Sequence, residues 1–162
     1  PLLVECVQRF GESAALTVDT PTGALYLTNV LGPSAIQAPD PTGERLDFHL
    51  VAPGLALMTS WDDERLGTYT AAPLPDATPL TITAAATLRD VVRMSAERGY
   101  AWADQALDLE VNGVAVLVPG ADPVASISLY GPAYRLNPSD RPDLGDALHK
   151  LVREQAPGLL GV

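Results

Sequence analysis

Val124-Ala125-Ser126-Ile127-Ser128-Leu129-Tyr130-Gly131-Pro132 is the stretch on which the fold turns. Side chains alternate along a strand, so Ser126, Ser128 and Tyr130 share one face and Ala125, Ile127 and Leu129 the other. A strand with hydroxyls on one side and aliphatics on the other either lines a pocket or forms half-exposed sheet. Upstream, Pro119-Gly120-Ala121-Asp122-Pro123 reads as a turn that folds this strand back on a second apolar run, Val114 to Val118. Before that run come Asn112-Gly113, the acid-bearing stretch Asp104 to Glu110, and Tyr100-Ala101-Trp102, a third strand candidate.

Working back from there, Ala84 to Arg98 places Leu88, Val91, Val92 and Ser95 on one helical face, with Thr83 or a neighbour as its cap and Gly99 as its stop. Residues Tyr69 to Thr81, with Pro73, Pro75 and Pro79, read as a long irregular loop. Trp61 to Thr68 reads as a short helix with Asp62 and Asp63 complementing its dipole. A helix starting near Pro53 would aim the N–H groups of Gly54, Leu55 and Ala56 outward, a seat for a carboxylate or phosphate. Ser13 to Thr20 and Ala24 to Val30 flank Pro21-Thr22-Gly23 as a hairpin. Leu3, Cys6, Val7 and Phe10 make a short amphipathic helix, which puts Cys6 in the core rather than in a nucleophile's role. A last helix, about Pro142 to Ala156, repeats Leu144, Leu148, Leu151 and Val152. Helix, strands, helices, strands, helix is the order of an α+β domain with a central, mainly antiparallel sheet flanked by helices.

Length and composition bound the function. The 162 residues, 47% hydrophobic and 19% charged, suit one domain over residues 1–162. No apolar run reaches the roughly 18 residues of a membrane helix, and no signal peptide precedes the fold, so a cytoplasmic location is expected. Cys6 is the only cysteine, which excludes an internal disulfide and a cysteine-based zinc site. Twenty acids against ten bases give a net charge of -10, which repels a phosphate backbone. Enzyme chemistry finds little support: His49 with Asp47 and Cys6, or His149 with Glu154 and Asp146, are polar groups without a nucleophile elbow, phosphate loop or metal motif around them. His49 reads as a hydrogen-bonding residue at a helix entry, and no cofactor or metal is expected.

Four separated pieces, in order, resemble the C-terminal effector-binding domain of IclR-type bacterial transcription regulators. They are Gly43-Glu44-Arg45-Leu46-Asp47-Phe48-His49 leading to Ala52-Pro53-Gly54-Leu55-Ala56; Thr81-Ile82-Thr83 followed by Leu88; Arg98-Gly99-Tyr100-Ala101; and Ile127-Ser128-Leu129-Tyr130-Gly131-Pro132 with Arg135 after it. Leu55 stands where the family commonly has lysine, and the family's acidic pair is reduced to Asp104-Gln105. The resemblance implies a GAF-like fold that senses a small organic acid or aromatic metabolite. It further implies assembly as a homodimer or homotetramer, and control of DNA through a separate N-terminal winged helix-turn-helix that lies outside this chain. A ligand-free oligomerisation domain with a vestigial pocket is the alternative.

By position, the resemblance implies a pocket lined by Ala35 and Ala38, Leu46, and the helix entry Ala52, Pro53 and Gly54. Ala103 or Asp104, Val111 and Gly113, and Ser128 and Tyr130 complete it. Helix N–H groups near Gly54 and the Ser128 hydroxyl would together hold a carboxylate, with aliphatic side chains around its carbon skeleton. Tyr130 stands where the family often has a small hydroxyl residue, so that side of the pocket is expected to be narrowed or closed.

Overall fold

In a computed structural model, which describes residues 1–34 and 36–160, the strand at 125–132 is buried along its whole length. The strands are β1 (Ser13–Thr20), β2 (Gly23–Val30), the two-residue β3 (Arg45–Leu46), β4 (Ala101–Asp104), β5 (Val111–Leu117) and β6 (Ala125–Pro132). They form one antiparallel sheet in the order β3-β2-β1-β6-β5-β4. Its centre joins the two ends of the chain: Ala15 lies opposite Ser128 and Leu16 opposite Ile127. A central strand with helices on both sides has no solvent face, so β6 is not half-exposed sheet.

The alternation in β6 sorts two cores. Ala125, Ile127 and Leu129 join Ala14, Val18, Val114 and Val116 beneath α1 (Leu2–Phe10) and α5 (Arg141–Leu159). Leu148, Leu151 and Val152 of α5 are buried there at the spacing seen in the sequence; in α1, Cys6 is buried with Leu3, Val7 and Phe10 half-buried beside it, and Leu2, outside the expected stripe, is buried as well. Gly11 at φ 74° ends α1 in the left-handed cap that glycine adopts most readily. On the opposite face, Ala15, Ala24, Ala101, Ala103 and Ala115 present small side chains to α2 (Ala52–Met58), which is covered in turn by α4 (Ala85–Arg98). All seven residues of α2 are buried, as expected of a helix that is apolar all round. A Cβ on Gly54 would run into the carbonyl of Phe48, so this glycine lets the 3-10 turn Phe48–Leu50 press against the helix.

Three local expectations change. The helix expected over Trp61 to Thr68 is α3 (Asp63–Ala71), with Asp62 as its N-cap accepting from the Arg65 N–H at 2.8 Å. Tyr69 therefore belongs to a helix, and the irregular loop begins after it. No side chain caps α4: its N-cap position is held by Ala84, next to Thr83, without a side-chain bond. Asn112 and Gly113 lie inside β5, because the Asn112 side chain is satisfied by two backbone groups: its Oδ1 accepts from the Gln105 N–H and its Nδ2 donates to the Leu136 carbonyl.

One buried carboxylate locks α3 to the sheet. Arg65 donates to both oxygens of Asp19 on β1, at 2.8 and 2.6 Å, and Trp61 Nε1 donates to the same group at 2.8 Å. The Arg65 guanidinium also stacks 3.9 Å from the Trp61 ring, within an aromatic cluster of Phe48, Trp61 and Tyr69.

Candidate functional site

The hydroxyl face of β6 meets the start of α2 across a cavity of about 280 Å³. Its floor is sheet: Ser128, Leu129 and Tyr130 from β6, Gly113 and Asn112 from β5, Ala103 from β4 and Tyr26 from β2. One wall is the α2 entry, Leu50 to Pro53; the others are residues of the 38–46 segment and of the loop holding Ala106, Leu107 and Asp108. Gly113 matters here because a Cβ would sit 3.3 Å from that of Ala52, between strand and helix entry. The volume is near the small end of the roughly 300–1,000 Å³ usual for small-molecule sites.

Ser128 Oγ is the singular group of this floor. It is buried, with the residue 1% exposed, and has no hydrogen-bond partner among the described residues. A buried hydroxyl without a partner carries a desolvation cost that a ligand oxygen or nitrogen would relieve. Tyr26 is a neutral wall group: burial, and then the neighbouring Tyr130, hold its phenol proton well above the usual tyrosine range. Burial likewise raises Tyr130, against the lowering effect of the Asn29 side chain, which donates to its hydroxyl at 2.7 Å. Tyr130 lines the cavity without closing it.

Of the residues assigned to the pocket from sequence, Ala38, Leu46, Ala52, Pro53, Ala103, Val111, Gly113, Ser128 and Tyr130 line this one cavity. Gly54 and Asp104 do not: Gly54 is turned to Phe48, and Asp104 is exposed at the end of β4. Ala35 lies outside the described residues. The carboxylate seat expected from helix N–H groups is weakened, since Pro53 in the first turn of α2 has no N–H and Gly54 is not part of the wall. Sequence reasoning missed Tyr26, Asp40, Glu44, Asp108 and Asn112. Glu44 stood in the Gly43 to His49 motif and Asn112 ahead of the Val114 to Val118 run, but neither position by itself pointed to the cavity.

The threonine-rich stretch holds the cavity rim. Thr81 Oγ1 accepts from the Ala77 and Thr78 N–H groups, both at 3.0 Å, and donates to the Ala106 carbonyl at 2.5 Å. Thr78 Oγ1 donates to the Gln105 carbonyl at 2.7 Å. The proline-rich loop and the 105–108 loop are thereby tied together at the mouth.

The histidines have structural partners or none in the cavity. His49 is fully buried, with Nδ1 2.7 Å from the Tyr69 hydroxyl and Nε2 2.8 Å from the Pro75 carbonyl. Both ring nitrogens are thus engaged at the helix entry, leaving none for proton transfer to a substrate. Among the described residues no group of three or more His, Cys, Asp or Glu side chains is placed to hold a metal ion. No helix among them is long and apolar enough to cross a membrane.

Fold and site together define a GAF-like α+β domain, in which an antiparallel sheet and a buried crossing helix enclose a cavity. The sequence model of the bacterial transcriptional regulator IclR C-terminal family matches residues 1–156, and the chain belongs to that family. Solved structures agree in fold. The IclR of Thermotoga maritima superposes with a TM-score of 0.88 at 24% identity, covering 99% of this chain and 66% of that one. An IclR homolog from Microbacterium hydrocarbonoxydans, complexed with 4-hydroxybenzoate, gives 0.82 at 22% identity, covering 98% and 66%. The Agobacterium tumefaciens repressor BlcR gives 0.85 at 16% identity, covering 96% and 62%. The present chain thus spans roughly two thirds of these relatives' length. No curated protein sequence matches it. The family and these neighbours are transcriptional regulators, not enzymes.

Proposed function

We propose that this chain is the small-molecule-sensing domain of an IclR-type regulator, with its effector in the cavity between β6 and the α2 entry. The observation that carries this reading is Ser128: a buried hydroxyl with no partner among the described residues, facing an apolar space of about 280 Å³. A vestigial pocket would gain by losing that hydroxyl, as alanine in place of Ser128 would do. The 4-hydroxybenzoate held by the Microbacterium hydrocarbonoxydans homolog gives a precedent of suitable size. In this reading the effector controls a DNA-binding domain outside the chain, since a net charge of -10 leaves these residues unsuited to a phosphate backbone. The location is cytoplasmic, where such a regulator meets DNA. Self-association as a homodimer or homotetramer belongs to the same reading of the family.

Thermal unfolding of the chain against a panel of small aromatics and organic acids tests the sensing role. An effector present at 100 times its Kd adds about 2.7 kcal/mol of stability through linkage. A panel that leaves the melting temperature and the Gly113 and Ser128 amide resonances unchanged would sink the proposal.

A further inference from the structure

We infer that the cavity selects an amine-bearing apolar effector over a carboxylate, which deepens the sensing role proposed above and rests on it. Asp40, Glu44 and Asp108 line the cavity, and among the described residues no lysine, arginine or histidine does. Asp40 and Glu44 come from the 38–46 wall, Asp108 from the loop after β4, so the carboxylates approach from two separate segments. Asp40 is held ionised by the Thr42 N–H, which it accepts at 2.8 Å and which pulls its carboxyl below the usual range. All three are exposed side chains, while the buried lining is aliphatic apart from Tyr26, Asn112, Ser128 and Tyr130. The arrangement is therefore an acidic mouth over an apolar chamber.

An organic acid entering this chamber would lose water and gain no cation. A desolvated carboxylate needs an opposite charge or several N–H donors. The α2 entry is poor in donors: Pro53 has no N–H, Gly54 is directed elsewhere, and the seven-residue helix is short. Ser128, Tyr26 and Tyr130 supply neutral hydroxyls, which suit a neutral oxygen or nitrogen but bring no positive charge to a carboxylate. An ammonium group at the mouth meets the opposite situation, because three carboxylates and the negative charge of the whole chain attract it. The ligand class that fits is a flat or compact hydrocarbon body with an amine toward Asp40, Glu44 and Asp108 and a small polar atom toward Ser128. A cation lines a different space: Arg153 borders, with His149, a second cavity of about 270 Å³ beside Gly99 and Tyr100, away from Ser128.

Three probes of one skeleton separate the possibilities: benzylamine, benzyl alcohol and benzoate, titrated into the chain with amide chemical shifts and calorimetry as readouts. Benzylamine is expected to shift the Ala103, Gly113 and Ser128 amides and to bind at least about tenfold more tightly than benzoate, or ~1.4 kcal/mol. The preference should shrink at high salt, as expected for charges near the surface. The triple change Asp40→Asn, Glu44→Gln, Asp108→Asn should reduce it to near parity, while benzyl alcohol affinity stays within a factor of two, which shows that the cavity itself has survived. Benzoate binding as tightly as benzylamine at these amides would overturn the charge inference and leave the sensing role standing. Absence of shifts at all three amides, with every probe at millimolar concentration, would overturn both.

Discussion

Ser128 shows how a single atom carries cost and use together. Its hydroxyl is buried without a partner among the described residues, so the ligand-free protein bears a desolvation penalty of about 1–3 kcal/mol there. Ser128→Ala removes that penalty, and urea unfolding should show the variant more stable than the parent by about 1 kcal/mol. The same variant should lose much of its effector-induced thermal shift. A destabilised variant with undiminished ligand response would mean that the hydroxyl serves the fold instead. Cys6 is the contrasting case of a buried group with no site around it. Burial first, and then the nearby Glu5 carboxylate, push its thiol from 9.0 up to about 11. A group whose folded value is raised favours the folded state fully below its unfolded value and loses that contribution as pH rises from about 9 to about 11. Native protein at pH 8 should therefore resist iodoacetamide for hours while urea-unfolded protein is alkylated within minutes.

At the scale of elements, the rim of the cavity depends on threonine hydroxyls rather than on packing. Thr81 joins two N–H groups of its own loop to the Ala106 carbonyl across the mouth. Thr81→Val keeps the shape and deletes all three bonds. It should cost about 1–3 kcal/mol in urea unfolding and speed hydrogen exchange at Ala77 and Thr78. Exchange unchanged at those amides would show that the rim is held in another way. This element also explains a difference between sequence and structure. A side-chain cap was expected from Thr83 or a neighbour, yet α4 begins at Ala85 with Ala84 in the N-cap position, while Thr81 and Thr78 bond to a loop 25 and 27 residues away. Helical spacing and strand alternation are local, so α1, α5 and the two faces of β6 were legible. The Ala106 partner of Thr81 and the partners of Asn112 and His49 are not helix-turn or strand neighbours, and no spacing rule could assign them.

For the whole molecule, the excess of acids is the dominant property. Self-repulsion at a net charge of -10 opposes compaction, and screening relieves it. Raising ionic strength from about 0.01 M to about 0.15 M shortens the screening length from about 30 to about 8 Å, so the melting temperature should rise by a few degrees. The Arg65–Asp19 pair works the other way but is partly buried and less affected. A fall in melting temperature would show that ion pairs outweigh the general repulsion. Composition and periodicity by themselves determined the class of fold, and the resemblance carried by four short motifs implied the family and, by position, nine of the residues that meet at the cavity. Those features are written in near-neighbour order, which the chain expresses through strand alternation and helix pitch. Tertiary structure alone decided that Asp40, Glu44 and Asp108 share one mouth, that Ser128 has no partner among the described residues, and that Gly54 turns away. These follow from segments far apart in sequence meeting across the sheet, and the electrostatic character of a cavity exists only once its walls are in place.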